Sequence, residues 1–295
     1  MNARHRAVSD AERPSRRKLL LSVAALVVVI AAAATVTIVV LRDDHSEDHE
    51  TTAEPQRALH DSFGALRLPA PTGVAITPVG GGRSLLFGDQ TPQDAWSTIK
   101  APLGLAAERM HGMSRTEAHA VIDSDNRSAR ILTRSFGGPD EATKALENVL
   151  REGGDMVTEP ARRHGRDFPM LGETRWALAD SAGWTANLPC LTGSEHMLEL
   201  MRGVSRVQDW GVRRIGGRST AVKGGWGEAP DGGYVVRQIG LVTLPNGSQA
   251  AVSASVHKAG MTFETGTAAL DQVAHWLKAN LTRIPGGECP APAAG

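Results

Sequence analysis

A serine becomes a nucleophile only when a base takes its proton, and a lysine in a dry, electropositive cleft can be neutral enough to be that base. Ser97 and Lys100 stand three apart in the stretch Ala95-Trp96-Ser97-Thr98-Ile99-Lys100. Gly88, Asp89, Thr91 and Pro92 break the chain just before it, and from Trp96 the apolar residues recur at helical spacing. Ser97 is therefore expected at a helix start, with Lys100 on the same face. Ser-x-x-Lys also occurs at Ser15 and Ser255. Ser15 sits in a basic N-terminal tail, and Ser255 ends a strand-like run, where positions three apart point to opposite faces. Two more polar sets follow Ser97. Ser124-Asp125-Asn126, which contains the single Ser-x-Asn of the chain, stands at a helix entry. Lys223-Gly224-Gly225 ends a strand-like segment.

The elements that must hold these residues emerge from periodicity. The chain has 295 residues, is 41% hydrophobic, balances its acidic and basic side chains and has a pI near 7.2, so nucleic acid is not indicated as a partner. The two cysteines, Cys190 and Cys289, show no metal spacing. In an oxidising compartment they could pair, if their Cα atoms come close enough. Residues 1–18 form a basic, cytoplasmic tail. Leu19 to Leu41 carries no charge and would be about 34 Å long as a helix, against a hydrocarbon core of about 30 Å. It is expected to be an uncleaved signal anchor, with the rest of the chain outside the cell membrane. Residues 42–54 read as an acidic tether; His45 and His49, spaced i,i+4, could bind a metal on a helix, but no helix is expected here.

A globular domain follows over 55–284, and 285–295 reads as a tail. It opens with a short amphipathic helix, Arg57 to Leu68. A hairpin follows, its runs Val74 to Val79 and Arg83 to Phe87 turning on Gly80-Gly81-Gly82. Helices are expected from the Ser97 stretch to Arg151, around Ala177 to Ala182 and over Ser194 to Val204. Three strands, Ser219 to Lys223, Tyr234 to Leu244 and Ser248 to Val256, precede a closing helix, Thr267 to Leu281. The fold class is α/β of the α+β type: an antiparallel sheet of about five strands, terminal helices against it, and an inserted helical lobe. An active site is expected in the cleft between lobe and sheet.

Ser-x-x-Lys, then Ser-Asp-Asn, then Lys-x-Gly, in this order and on these elements, resembles the signature of class A β-lactamases and penicillin-binding proteins from about Pro55 to Leu281. The resemblance implies that Ser97 attacks a carbonyl, Lys100 takes its proton, and Ser124 relays a proton to the leaving amine. Asn126 would hold a substrate amide through its carbonyl and NH2, and Lys223 would meet a substrate carboxylate. The backbone N–H groups of Ser97 and Trp226, beside Gly225, would form the oxyanion hole. The substrate would be a small molecule or peptide, from cell-wall peptide or β-lactam amides, with no cofactor and no metal. Three departures stand out. The span from Lys100 to Ser124 is short, Gly224 replaces a hydroxyl residue, and the loop that carries the deacylating glutamate in β-lactamases does not match. Gly154-Asp155-Met156-Val157-Thr158 resembles the approach to it, and counting on reaches His164. Glu159-Pro160 matches only with a deletion, so Glu159 is the candidate base, with Asp167 and Glu173 weaker ones. A catalytically impaired binding or sensing module of the same fold is the alternative.

Overall fold

The computed structural model describes residues 56–162 and 171–291. Leu59–Gly295 forms one compact unit. The expected tail, membrane run and tether over 1–54, with His45 and His49, lie outside the described residues, as do His164 and Asp167. Among the described residues no helix is long and apolar enough to cross a membrane.

Helix α1 (56–64) leads into the hairpin of β1 (Thr72–Pro78) and β2 (Leu85–Gly88), then a two-residue strand β3 (Gln93–Asp94). The helical lobe holds α2 (Lys100–His111), α3 (Arg115–Ile122), α4 (Asn126–Ser135) and α5 (Pro139–Glu152). After β4 (Arg175–Trp176) come α6 (Leu178–Asn187), α7 (Glu195–Arg202) and the single turn α8 (Arg213–Gly216). The chain closes with β5 (Ala221–Glu228), β6 (Tyr234–Thr243), β7 (Gln249–His257) and α9 (Phe263–Ala279). The sheet is antiparallel and five-stranded, ordered β2-β1-β7-β6-β5. β3 and β4 form a separate two-stranded ribbon.

Alternation along the strands sorts the two faces of the sheet. Val236, Val242, Val252, Ala254 and Val256 face α9, where Leu270, Val273, Ala274 and Leu277 meet them. Phe63 of α1 and Phe87 of β2 close on Trp276, each with ring centroids 5.1 Å from it. On the other face Ile239, Leu241 and Ala251 join the core of the lobe, and Ser253 meets Ser181 of α6 at 2.7 Å. Burying each such Val or Leu typically contributes about 1.5–3 kcal/mol, so the sheet is fixed from both sides.

Two expectations are corrected. β5 does not end at Lys223 but runs on to Glu228, which makes Lys223 an interior strand residue. The C-terminal segment is not a free tail: Gly287 pairs with Gln249, and Cys289 is bonded to Cys190 with Cα atoms 5.3 Å apart. That pairing answers the question the sequence left open.

Candidate active site

Ser97 lies in a 3₁₀ turn, Trp96–Ile99, that runs directly into α2, rather than in the α-helix itself. The turn is held tightly on the side of the sheet. Ala95 N donates to Thr174 O at 2.7 Å, and Thr98 donates to Ala95 O through both N and Oγ1. Behind it, the buried Arg237 of β6 donates to the carbonyls of Gln93, Asp94 and Trp176, and so pins the β3–β4 ribbon. Trp96 has φ of 46°, left-handed backbone for a bulky residue, a strain of about 1–3 kcal/mol that surrounding structure must impose.

β5 is the edge strand facing this turn. A Cβ on Gly225 would lie 2.7 Å from Ala95 O and 3.0 Å from Ser97 N, and one on Gly227 would lie 2.4 Å from the Trp96 ring. Glycine at both places lets strand and turn touch. The N–H of Gly224 donates outward to Gln208 Oε1 at 2.8 Å. Backbone direction alternates along a strand, so the N–H of Trp226, two residues on, points off the same free edge. Ser97 N, in the first turn of its helix, has no acceptor among the described residues. Neither of the two N–H groups expected to form an oxyanion hole has an acceptor among the described residues, and the close contact at Gly225 brings their segments together.

Two lysines bracket Ser124. Lys100, 5% exposed, donates from Nζ to Ser124 O at 2.6 Å and to Asn126 Oδ1 at 2.8 Å. Ser124 has φ of 55°, which turns its carbonyl onto Lys100. Lys223, fully buried, donates to Ser124 Oγ at 3.1 Å, Gln208 Oε1 at 2.7 Å and Gly224 O at 2.9 Å. Burial pushes the Lys100 ammonium down to about 8; the Asp125 carboxylate pulls it up and the Arg130 guanidinium lowers it further. Burial, then the charge of Lys100, holds Lys223 well below the usual lysine value. A neutral Lys100 has two N–H bonds, both spent on Ser124 O and Asn126 Oδ1, and its lone pair is left over to accept a proton. No hydrogen bond reaches Ser97 Oγ among the described residues, which leaves that hydroxyl open to the cleft. The cleft, about 210 Å³, is lined by Ser97, Lys100, Asn126, Arg130, Gly172 and Trp226 among others.

Neither a protein-family sequence model nor a curated protein matches the chain. Solved structures do. The extended-spectrum β-lactamase TLA-3 superimposes with a TM-score of 0.61 at 16% identity, over 77% of this chain and 99% of its own. A class A β-lactamase from Bacteroides cellulosilyticus gives 0.61 at 15% identity over 77% and 98%. A β-lactamase from Chitinophaga pinensis gives 0.58 at 14% identity over 77% and 98%. The chain has the class A β-lactamase fold.

Against that fold, Ser97, Lys100, Asn126 and Trp226 meet in one cleft, and Ser124 and Lys223 join them through hydrogen bonds. Two of the expected site residues make contacts within the protein. Lys223 Nζ, expected to meet a substrate carboxylate, donates here to Ser124 Oγ, Gln208 Oε1 and Gly224 O. Asn126 Oδ1 accepts from Lys100 Nζ, and its NH2 makes no hydrogen bond among the described residues. Gly224 has a structural cause: a Cβ there would lie 2.9 Å from the Trp210 ring. The Gly154-Asp155 loop is well built, with Asp155 Oδ1 accepting from Thr158 N at 2.9 Å and Oδ2 from Trp176 Nε1 at 2.8 Å. Glu159 is exposed and lines a separate depression with Arg175 and Asp180, away from Ser97. Glu173 follows Gly172 at the rim of the cleft and is half-buried. Sequence reasoning missed Gln208 and Arg130. A lone glutamine and an exposed helical arginine carry no spacing signal.

Proposed function

We propose that this chain is a serine hydrolase or acyltransferase that works through a Ser97 acyl-enzyme, on cell-wall peptide or β-lactam amides. The observation that carries the reading is the buried Lys100 amine, held by Ser124 and Asn126 in the same cleft as Ser97. The Lys100 lone pair would take the Ser97 proton as Oγ adds to the carbonyl carbon. The developing oxyanion would be met by the N–H groups of Ser97 and Trp226. Lys223 donates to Ser124 Oγ, so the Ser124 hydroxyl proton would pass to the leaving nitrogen as a proton from Lys223 replaces it on Oγ. The Asn126 NH2 would hold a substrate carbonyl, and Arg130 supplies an exposed cation to the cleft.

The proposal includes the location: residues 19–41 anchor the chain in a membrane, with residues 1–18 cytoplasmic and the domain outside. The Cys190–Cys289 bond supports an oxidising compartment. Gel labelling with a fluorescent penicillin and with a fluorophosphonate tests the reaction. Labelling of the wild type and not of Ser97→Ala supports it, and equal labelling of both sinks it. Glu159 favours a second reading, a surface binding or sensing module of this fold. With that carboxylate outside the Ser97 cleft, an acyl group would leave slowly, and a long-lived adduct would serve as a signal rather than a turnover intermediate.

A further inference from the structure

Away from the cleft, three helices of the lobe bring Glu108 (α2), Glu117 (α3) and His196 (α7) to one point, with a ligating atom of each within 4.8 Å of the others. Gly104 permits this approach: a Cβ there would lie 2.7 Å from Met197 Cε and 3.5 Å from Glu117 Cγ. Glu117 is fully buried, and its two carboxylate oxygens have different fates. Oε2 accepts from Ser114 N in the capping box of α3 at 3.4 Å. Oε1 is buried without a hydrogen-bond partner, as are Glu108 Oε2 and His196 Nδ1. Leaving such groups unsatisfied typically costs about 1–3 kcal/mol each, more when charged. Among the described residues the two carboxylates have no ion-pair partner other than His196.

We propose that Glu108 Oε2, Glu117 Oε1 and His196 Nδ1 bind a zinc ion that braces α2, α3 and α7. His196 Nδ1 lies 3.3 Å from Glu108 Oε2 and 3.8 Å from Glu117 Oε1. Zn–N and Zn–O bonds of about 2.0–2.1 Å at tetrahedral angles put neighbouring ligands about 3.4 Å apart, so both edges match within about half an ångström. One imidazole with two carboxylates suits zinc, whereas calcium or magnesium takes six or more oxygens. The side chain of His196 is 25% exposed, that of Glu108 13% and that of Glu117 1%. The site is thus closed from below and open on the His196 side, where water would fill the fourth position. α2 begins at Lys100 and α3 ends just before Ser124, so the metal would stiffen the pair of helices that present both to the cleft.

The test uses the full chain, stripped with a chelator and titrated with zinc chloride by calorimetry, with melting temperature and zinc K-edge absorption as further readouts. One zinc per chain is expected, with a rise in melting temperature and a first shell of nitrogen and oxygen containing one imidazole. His196→Gln and Glu117→Gln should weaken binding by more than about a hundredfold, beyond the usual effect of an outer-shell contact. The His45→Ala/His49→Ala variant should keep it. No stoichiometric zinc on the wild type overturns the proposal and leaves a carboxyl pair sharing a proton. So does a shell with two imidazoles, or loss of zinc in the His45→Ala/His49→Ala variant, either of which would locate the ion on the tether. These readouts need no catalytic activity, so they stand or fall apart from the Ser97 chemistry.

Discussion

If Lys100 is the base for Ser97, the rate of Ser97 modification follows the neutral fraction of its amine. Burial holds that amine at about 8 instead of 10.5. The neutral fraction is then about one hundredth at pH 6, about a tenth at pH 7 and about half at pH 8. The rate should climb about fiftyfold from pH 6 to pH 8 and less than about twofold beyond. An unperturbed lysine would keep gaining about tenfold per pH unit to about pH 10. Two neighbours set the sign of a shift. Asp125 raises the Lys100 value and Arg130 lowers it. Asp125→Asn keeps the cap that Asp125 Oδ2 gives Ser128 N at 2.6 Å, so it should move the limb to lower pH and speed the reaction at pH 7. Arg130→Gln should move it to higher pH and slow the reaction. The assay is pseudo-first-order labelling by excess fluorophosphonate, which needs only an activated serine, followed by in-gel fluorescence across this range. A flat profile between about pH 6 and 8, or a shift of the same sign in both variants, refutes Lys100 as the base.

Other perturbations test the frame around it. Gly225→Ala puts a methyl 2.7 Å from Ala95 O and 3.0 Å from Ser97 N. It should cost about 1–3 kcal/mol in urea unfolding and about a hundredfold or more in labelling rate, because it parts the two oxyanion donors. Gln208→Ala removes the Oε1 that Lys223 Nζ and Gly224 N share at 2.7 and 2.8 Å and leaves Gly224 N without an acceptor; chemical denaturation should show a loss of about 1–3 kcal/mol. The Cys190→Ser/Cys289→Ser pair opens a link between residues 99 apart. It should lose about 2–5 kcal/mol by the same measurement, whereas a loss under about 1 kcal/mol would mean that the C-terminal segment is held by its other contacts.

The sheet and its partners were legible because hydrophobic period and turn residues agree: the triple glycine between two β runs, Asn246-Gly247 before the last strand, the stripe along α9. Expectation and structure part where glycine does something other than break an element. Gly224, Gly225 and Gly227 made β5 look finished at Lys223, yet they are there because Trp210, Ala95 O and the Trp96 ring leave no room for a Cβ. Gly266 similarly hid the first turn of α9, where a Cβ would lie 2.5 Å from Val236 Cγ2. Within the site, Ser97, Lys100, Ser124, Asn126 and Lys223 were legible as short motifs in a fixed order. What each donates to was not. The commitment of Lys223 to Gln208, and of the Asn126 oxygen to Lys100, depends on packing across distant segments. The β3–β4 ribbon and the Glu108, Glu117 and His196 cluster likewise join positions that no local spacing connects.

The central claim is that Ser97 carries the acyl group. Intact-mass spectrometry of the protein after incubation with a penicillin, followed by peptide mapping, tests it most directly. The account predicts one added penicilloyl mass per chain, located on the peptide containing Ser97 and absent from Ser97→Ala, with an adduct that outlasts those of efficient β-lactamases because Glu159 stands outside the cleft. An adduct on any other residue, or an unmodified Ser97 under conditions where the fluorophosphonate also fails to react, would contradict it.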